Sequence, residues 1–84
     1  MTKDELILQI RACISAEYDA IKMYTTLAEQ CDNELVQKTL INIAKEERIH
    51  AGEFLALLFR LSPDEPNLYE QGLKEVDDLD KGKK

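Results

Sequence analysis

The single histidine of this chain, His50, follows Glu47 by three residues in Glu46-Glu47-Arg48-Ile49-His50. Residues three apart are neighbours on a helix, so Glu47 and His50 can offer a carboxylate oxygen and an imidazole nitrogen to one metal ion. Both stand where a core stripe calls for apolar side chains. The stripe Val36, Leu40, Ile43, Glu47, His50, Phe54, Leu57, Leu61 alternates steps of four and three, the pattern of a buried helical seam. Ionisable groups in such a seam cost several kcal/mol each unless something compensates them. A second seam, Leu6, Ile10, Cys13, Glu17, Ala20, Tyr24, Leu27, Cys31, keeps the same alternation and also carries one carboxylate, Glu17.

The elements that position these groups are two long helices in a hairpin. Cys31-Asp32-Asn33 breaks the apolar pattern with residues that favour turns and helix N-caps. Position 32 is midway between 17 and 47, so in an antiparallel hairpin Glu17 and Glu47 lie at one level, about 22 Å from the turn. His50 is one turn away on the Glu47 face. Thr2 with Glu5 forms a capping box, predicting helix one from about 3 to 30. Helix two is predicted from about 33 to 61, ending before Ser62-Pro63. A shorter third helix is predicted over about 67 to 79, with Leu68, Tyr69, Leu73 and Val76 on its apolar side and Gly72 weakening it. The charged tail 77–84 is expected to fray. The chain is read as one all-α domain spanning 1–84, with no internal repeat or linker.

Composition narrows the classes of function. A net charge of −6, with no basic cluster beyond Lys81 to Lys84, argues against nucleic acid as a partner. An acidic surface attracts cations and keeps an assembly soluble. No segment approaches the ~18 apolar residues of a membrane span, and the start lacks a signal-peptide pattern, so the mature chain is expected to begin near Met1. Cys13 and Cys31 lie about 27 Å apart in helix rise, too far for a disulfide, and read as small hydrophobes in a reducing, cytoplasmic setting. Eighty-four residues cannot cover two such stripes, and Ile7, Ile14, Ile21 and Ala28, spaced by seven, widen the apolar face of helix one further. Self-association is the expected remedy.

Three ligands are too few to enclose a redox metal, but a two-fold dimer doubles them to four carboxylates and two imidazoles. That set suits a di-iron or di-manganese centre in a four-helix bundle, to which two helices give one Glu each and two give Glu-x-x-His. Four negative charges match two divalent ions. Carboxylate oxygens with few imidazoles favour iron or manganese, and zinc fits the same donors. With ten glutamates in the chain, Glu-x-x-His alone is a weak signal; its seam position and the mirror placement of Glu17 strengthen it. The bland reading is a polar layer that fixes bundle register. Tyr24, one heptad after Glu17, is either a core aromatic with a bonded hydroxyl or a hydrogen-bonding and electron-donating neighbour of the centre. Asp19, Glu46 and Glu53 lie off the seam, solvated or assisting the approach of iron.

These residues resemble the encapsulated ferritins, a short branch of the ferritin-like superfamily. The likeness runs through Glu17, the seven-residue step to Tyr24, the thirty-residue step to Glu47 with His50, the stretch Glu46 to Arg60, and the Pro-containing turn before helix three. It implies that each chain supplies half a ferroxidase centre, that two chains complete it with two irons per dimer, and that dimers close into a ring, typically of five, making a decamer. It implies Glu17, Glu47 and His50 as iron ligands and Tyr24 as a catalytic neighbour. It further implies iron storage with an encapsulin shell and residence in that nanocompartment. Two features depart from the family: Ala16 stands where some members carry an acidic residue, and the tail 77–84 is unlike the apolar peptide that docks members in a shell. The expected activity is oxidation of Fe(II) by dioxygen. The alternatives are a rubrerythrin-like di-metal peroxidase, disfavoured because the chain lacks the cysteines of a rubredoxin-type iron site, and a non-enzymatic helical oligomerisation module.

Overall fold

A computed structural model of the chain describes residues 1–82; the last two residues of the predicted tail lie outside them. Three helices follow in order, α1 (Lys3–Gln30), α2 (Glu34–Leu61) and α3 (Glu65–Asp80). Thr2 Oγ1 accepts the Glu5 amide at 3.1 Å and Glu5 Oε2 accepts the Thr2 amide at 3.0 Å, which satisfies two of the open donors at the start of α1. The chain turns in three residues. Asn33 then caps α2, its Oδ1 accepting the Val36 amide at 3.0 Å, and the Gln37 side chain donates to the Cys31 carbonyl.

α1 and α2 pack along their length, and the line of deepest burial differs from the predicted seams. It runs through Ile21 and Ala28 on α1 and Ala44, Ala51 and Leu58 on α2, rows spaced by seven. Alanine at two of the three α2 positions lets the helices approach closely. The predicted seams lie on one flank of this line, where a single chain covers them only in part: Leu27 is 49% exposed, Val36 41% and Leu57 47%. The heptad row, expected only to widen the face, is the true intrachain contact.

α3 starts two residues earlier than predicted, since Pro66, which has no amide hydrogen to leave unsatisfied, sits in its first turn. It meets the hairpin near its own beginning. Arg11 on α1 pairs with the buried carboxylate of Glu65, and Tyr69 meets Phe59 edge-to-face with centroids 5.2 Å apart. The rest projects outward, leaving Leu68, Leu73, Val76 and Leu79 exposed. Instead of fraying from Asp77, α3 stays helical to Asp80, helped by a 2.7 Å contact from Lys81 Nζ to Asp77 Oδ2.

The shape explains the exposed apolar surface. The radius of gyration is 16.8 Å, against about 12 Å for a compact chain of this length. The accessible surface is 6597 Å², whereas a folded monomer of this mass shows about 5,100 Å². No helix among the described residues is long and apolar enough to cross a membrane.

Candidate metal centre

Each long helix is fixed at the turn, and that turn sets their register. Glu17 in the middle of α1 comes level with Glu47 in the middle of α2, as their equal distance from residue 32 requires. His50 Nδ1 lies 3.8 Å from Glu17 Oε2 and 3.7 Å from Glu47 Oε1. One donor atom from each of the three residues falls within 4.8 Å of the others. These separations are too long for hydrogen bonds. They suit a shared ion, because donors about 2.1 Å from one centre lie roughly 3–4 Å from each other.

Electrostatics make the same case. Glu17 Oε2 is covered from solvent and has no hydrogen-bond partner among the described residues. A buried carboxylate oxygen without a partner requires a proton or a cation. The ionisation of Glu17 is pushed above the ordinary carboxylate value, first by a hydrogen bond with Glu47 that holds the protonated form. Loss of solvent and the Glu47 charge push the same way, against an opposing pull from His50. The closeness of the two carboxylates thus favours the protonated form of Glu17, and a cation bound between them would neutralise both.

The predicted residues divide. Glu17, Glu47 and His50 converge, with Glu17 and Glu47 largely covered and the His50 side chain 48% exposed on the open flank. Sequence reasoning placed His50 in a buried seam; within one chain it faces outward, because the helices touch along the heptad rows beside it. Tyr24 is half-buried and sits one heptad, about 10.5 Å of rise, along α1 from Glu17. Of the outlying acids, Glu46 accepts from Asn42 at 3.0 Å, and Asp19 lines a separate groove that includes Lys22. Glu53 borders an open groove of about 320 Å³ together with Glu17, His50, Phe54 and Leu57. The sequence signal for that groove was the third step of one series, Glu47, His50, Glu53. No local signal announced the pairing of Arg11 with Glu65.

Similarity to known proteins agrees with the geometry. The rubrerythrin family pattern matches residues 9–78. Over 78 residues the chain is 42% identical to a ferritin-like-encapsulin shell fusion protein of Pyrococcus furiosus, a match covering 93% of this chain and 23% of that one. Over 65 residues it is 42% identical to the encapsulin nanocompartment cargo protein EncC of Myxococcus xanthus, covering 77% and 50%. The chain thus spans half or less of these two relatives. It superposes on the crystal structure of the encapsulated ferritin domain from Pyrococcus furiosus with a TM-score of 0.92 at 42% identity, covering 94% of this chain and 81% of that one.

Proposed function

This chain belongs to the rubrerythrin family, in its encapsulated-ferritin branch, and from that premise we propose that it is a ferroxidase whose substrate is Fe(II) and whose oxidant is dioxygen. The observation that carries the reading is the convergence of Glu17, Glu47 and His50 around a covered, partnerless carboxylate oxygen. Three donors leave most positions around an iron ion open, so a second copy of the chain completes the site, giving four carboxylates for two Fe(II) ions. The apolar flank beside the donors supports this pairing. The excess surface of ~1,500 Å² per chain is nearly twice the ~800 Å² that each partner gives to a standard interface, in keeping with a large contact between copies. Closure of such dimers into a ring, typically a decamer, is part of the same reading.

Each Fe(II) gives up one electron, so two of them reduce one dioxygen to hydrogen peroxide with uptake of two protons. The chain's part is to bind the ions as a pair, neutralise their charge with carboxylates and keep water away with the bundle interior. Manganese and zinc suit the same donors. The names of the two relatives support a further step, in which Fe(III) is stored within an encapsulin shell and this chain works in that nanocompartment in the cytoplasm. The match to rubrerythrin favours a second reading, with hydrogen peroxide as the oxidant.

One experiment tests both. Anaerobic protein is loaded with Fe(II) and mixed with dioxygen or with peroxide while Fe(III) absorbance is followed. Dioxygen should oxidise the iron well above the rate in buffer, and the Glu17→Gln variant should abolish the difference. A rate equal to buffer would refute the proposal, and rapid oxidation by peroxide alone would select the second reading.

A further inference from the structure

The angle at which α3 leaves the hairpin is fixed near its base. Its N-cap residue, Asp64, makes no side-chain hydrogen bond to the first turn, in contrast to Thr2 and Asn33 at the starts of α1 and α2. The base is held instead by the ion pair of Arg11 with the buried Glu65, backed by the edge-to-face contact of Tyr69 with Phe59. The stripe that begins with these two residues does not stop at the hairpin. Glu65, Tyr69, Leu73 and Val76 follow one another at helical steps of four, four and three, and beyond Tyr69 the stripe overhangs the chain, leaving Leu73 and Val76 exposed.

A second copy of the chain is the occupant this overhang fits. The excess of ~1,500 Å² per chain is nearly twice one side of a standard interface, so a contact at the donor flank leaves about as much again to cover. Arg48 and Leu55 flank Ala51 on the side away from Glu47 and Phe54, and with Tyr18 they line a groove of about 290 Å³ that Tyr69 borders. Arg48 makes no hydrogen bond or ion pair among the described residues. The overhang of α3 combines its apolar stripe with Asp78 and Asp80, so it complements an apolar groove that holds an unpaired cation.

We infer that the Arg11–Glu65 pair sets how many chains close the assembly, by fixing the angle at which α3 offers its overhanging stripe to a second copy. This rests on the reading that dimers joined at the donor flank close into a ring. Each dimer in a ring of five turns by about 72° from its neighbour, and in a ring of four or six by about 90° or 60°, so roughly 12–18° separates one ring from the next. α3 has 16 residues and is about 24 Å long, and a swing of that size at its base carries the far end about 5–7 Å. That is one helical turn, enough to seat the stripe on different side chains.

Native mass spectrometry of the assembled full-length chain reads the number directly. The parent should give one closed species. Arg11→Met and Glu65→Gln, which break the ion pair from either helix while keeping most of the side chain's bulk, should each give rings of another size. Bound Co(II) per chain should be unchanged, because the donors lie on the other flank. A single guanidinium nitrogen makes the contact, so Arg11→Lys can supply the same charge and should keep the parent's ring. Leu73→Asp puts a charge into the exposed stripe and should leave dimers that still bind Co(II). The parent's ring retained in Arg11→Met and Glu65→Gln, or in Leu73→Asp, would overturn the inference. So would collapse of the two pair-breaking variants to dimers alone, since the pair would then hold the contact rather than set its angle, and so would Arg11→Lys behaving like Arg11→Met. A parent that stops at dimers would instead remove ring closure, the reading beneath it.

Discussion

Replacing Glu17 with glutamine keeps the side chain's shape and removes its charge, and the geometry fixes what should follow with and without metal. Without metal, the raised ionisation of Glu17 means that the folded chain holds this proton more tightly than the unfolded chain does. Stability from that proton is complete below the ordinary carboxylate value and is lost as pH rises through the raised value. Glutamine cannot ionise and still offers an N–H to Glu47, so the metal-free variant should lack that loss and melt no lower than the parent at neutral pH. With metal the order reverses. Removing groups that merely orient ligands costs 10- to 100-fold in metal affinity, so losing a ligand should cost about 100-fold or more. Metal at one hundred times the parent's Kd stabilises the fold by about 2.7 kcal/mol, or about 11–22 °C in Tm for a chain of this size. The same concentration would only equal the variant's weakened Kd, leaving about 0.4 kcal/mol, or about 2–3 °C. Anaerobic melting curves at fixed chain concentration, with and without Fe(II), measure all four states. A metal-free variant melting well below the parent, or equal metal-induced shifts in both, would refute the assignment of Glu17.

His50→Ala and Glu47→Ala should each slow Fe(II) oxidation at least 100-fold while changing the metal-free Tm by only a few degrees; parallel stopped-flow and circular dichroism runs check this. Metal affinity should rise with pH through the raised ionisation of Glu17 and binding should release protons, which calorimetry in buffers of different ionisation enthalpy detects as a buffer-dependent heat. Leu58 is 1% exposed near the C-terminal end of α2, so Leu58→Ala should cost about 2–5 kcal/mol of stability in urea titrations. Arg11→Ala leaves the buried Glu65 carboxylate without its partner and should cost about 1–3 kcal/mol, with faster amide exchange confined to α3.

The site was legible because its information is local and arithmetic. A capping box at Thr2, a turn at Asp32-Asn33 and the equal offsets of Glu17 and Glu47 set both helix ends and the register, and the register puts the donors together. The burial pattern was harder to read. Ala44 and Ala51 are two of the three buried positions on α2, yet alanine gives a faint hydrophobic signal beside Leu40, Phe54 and Leu57, so the richer flank was taken for the core. That flank is apolar for a different reason, in keeping with a neighbour expected to cover it. The start of α3 was set at about residue 67, two residues late, although proline suits the first turn of a helix and Pro66 takes that place. The tie between Arg11 and Glu65 joins positions 54 residues apart, a pairing that only the folded path of the chain reveals.

The central claim is that Glu17, Glu47 and His50 of two chains hold a pair of Fe(II) ions. Crystals grown anaerobically with Fe(II), with diffraction collected on both sides of the iron absorption edge, test it most directly. The account predicts two anomalous peaks between paired chains, each contacted by Glu17, Glu47 or His50 side chains drawn from both. Peaks remote from these residues, or a single ion held entirely within one chain, would contradict it.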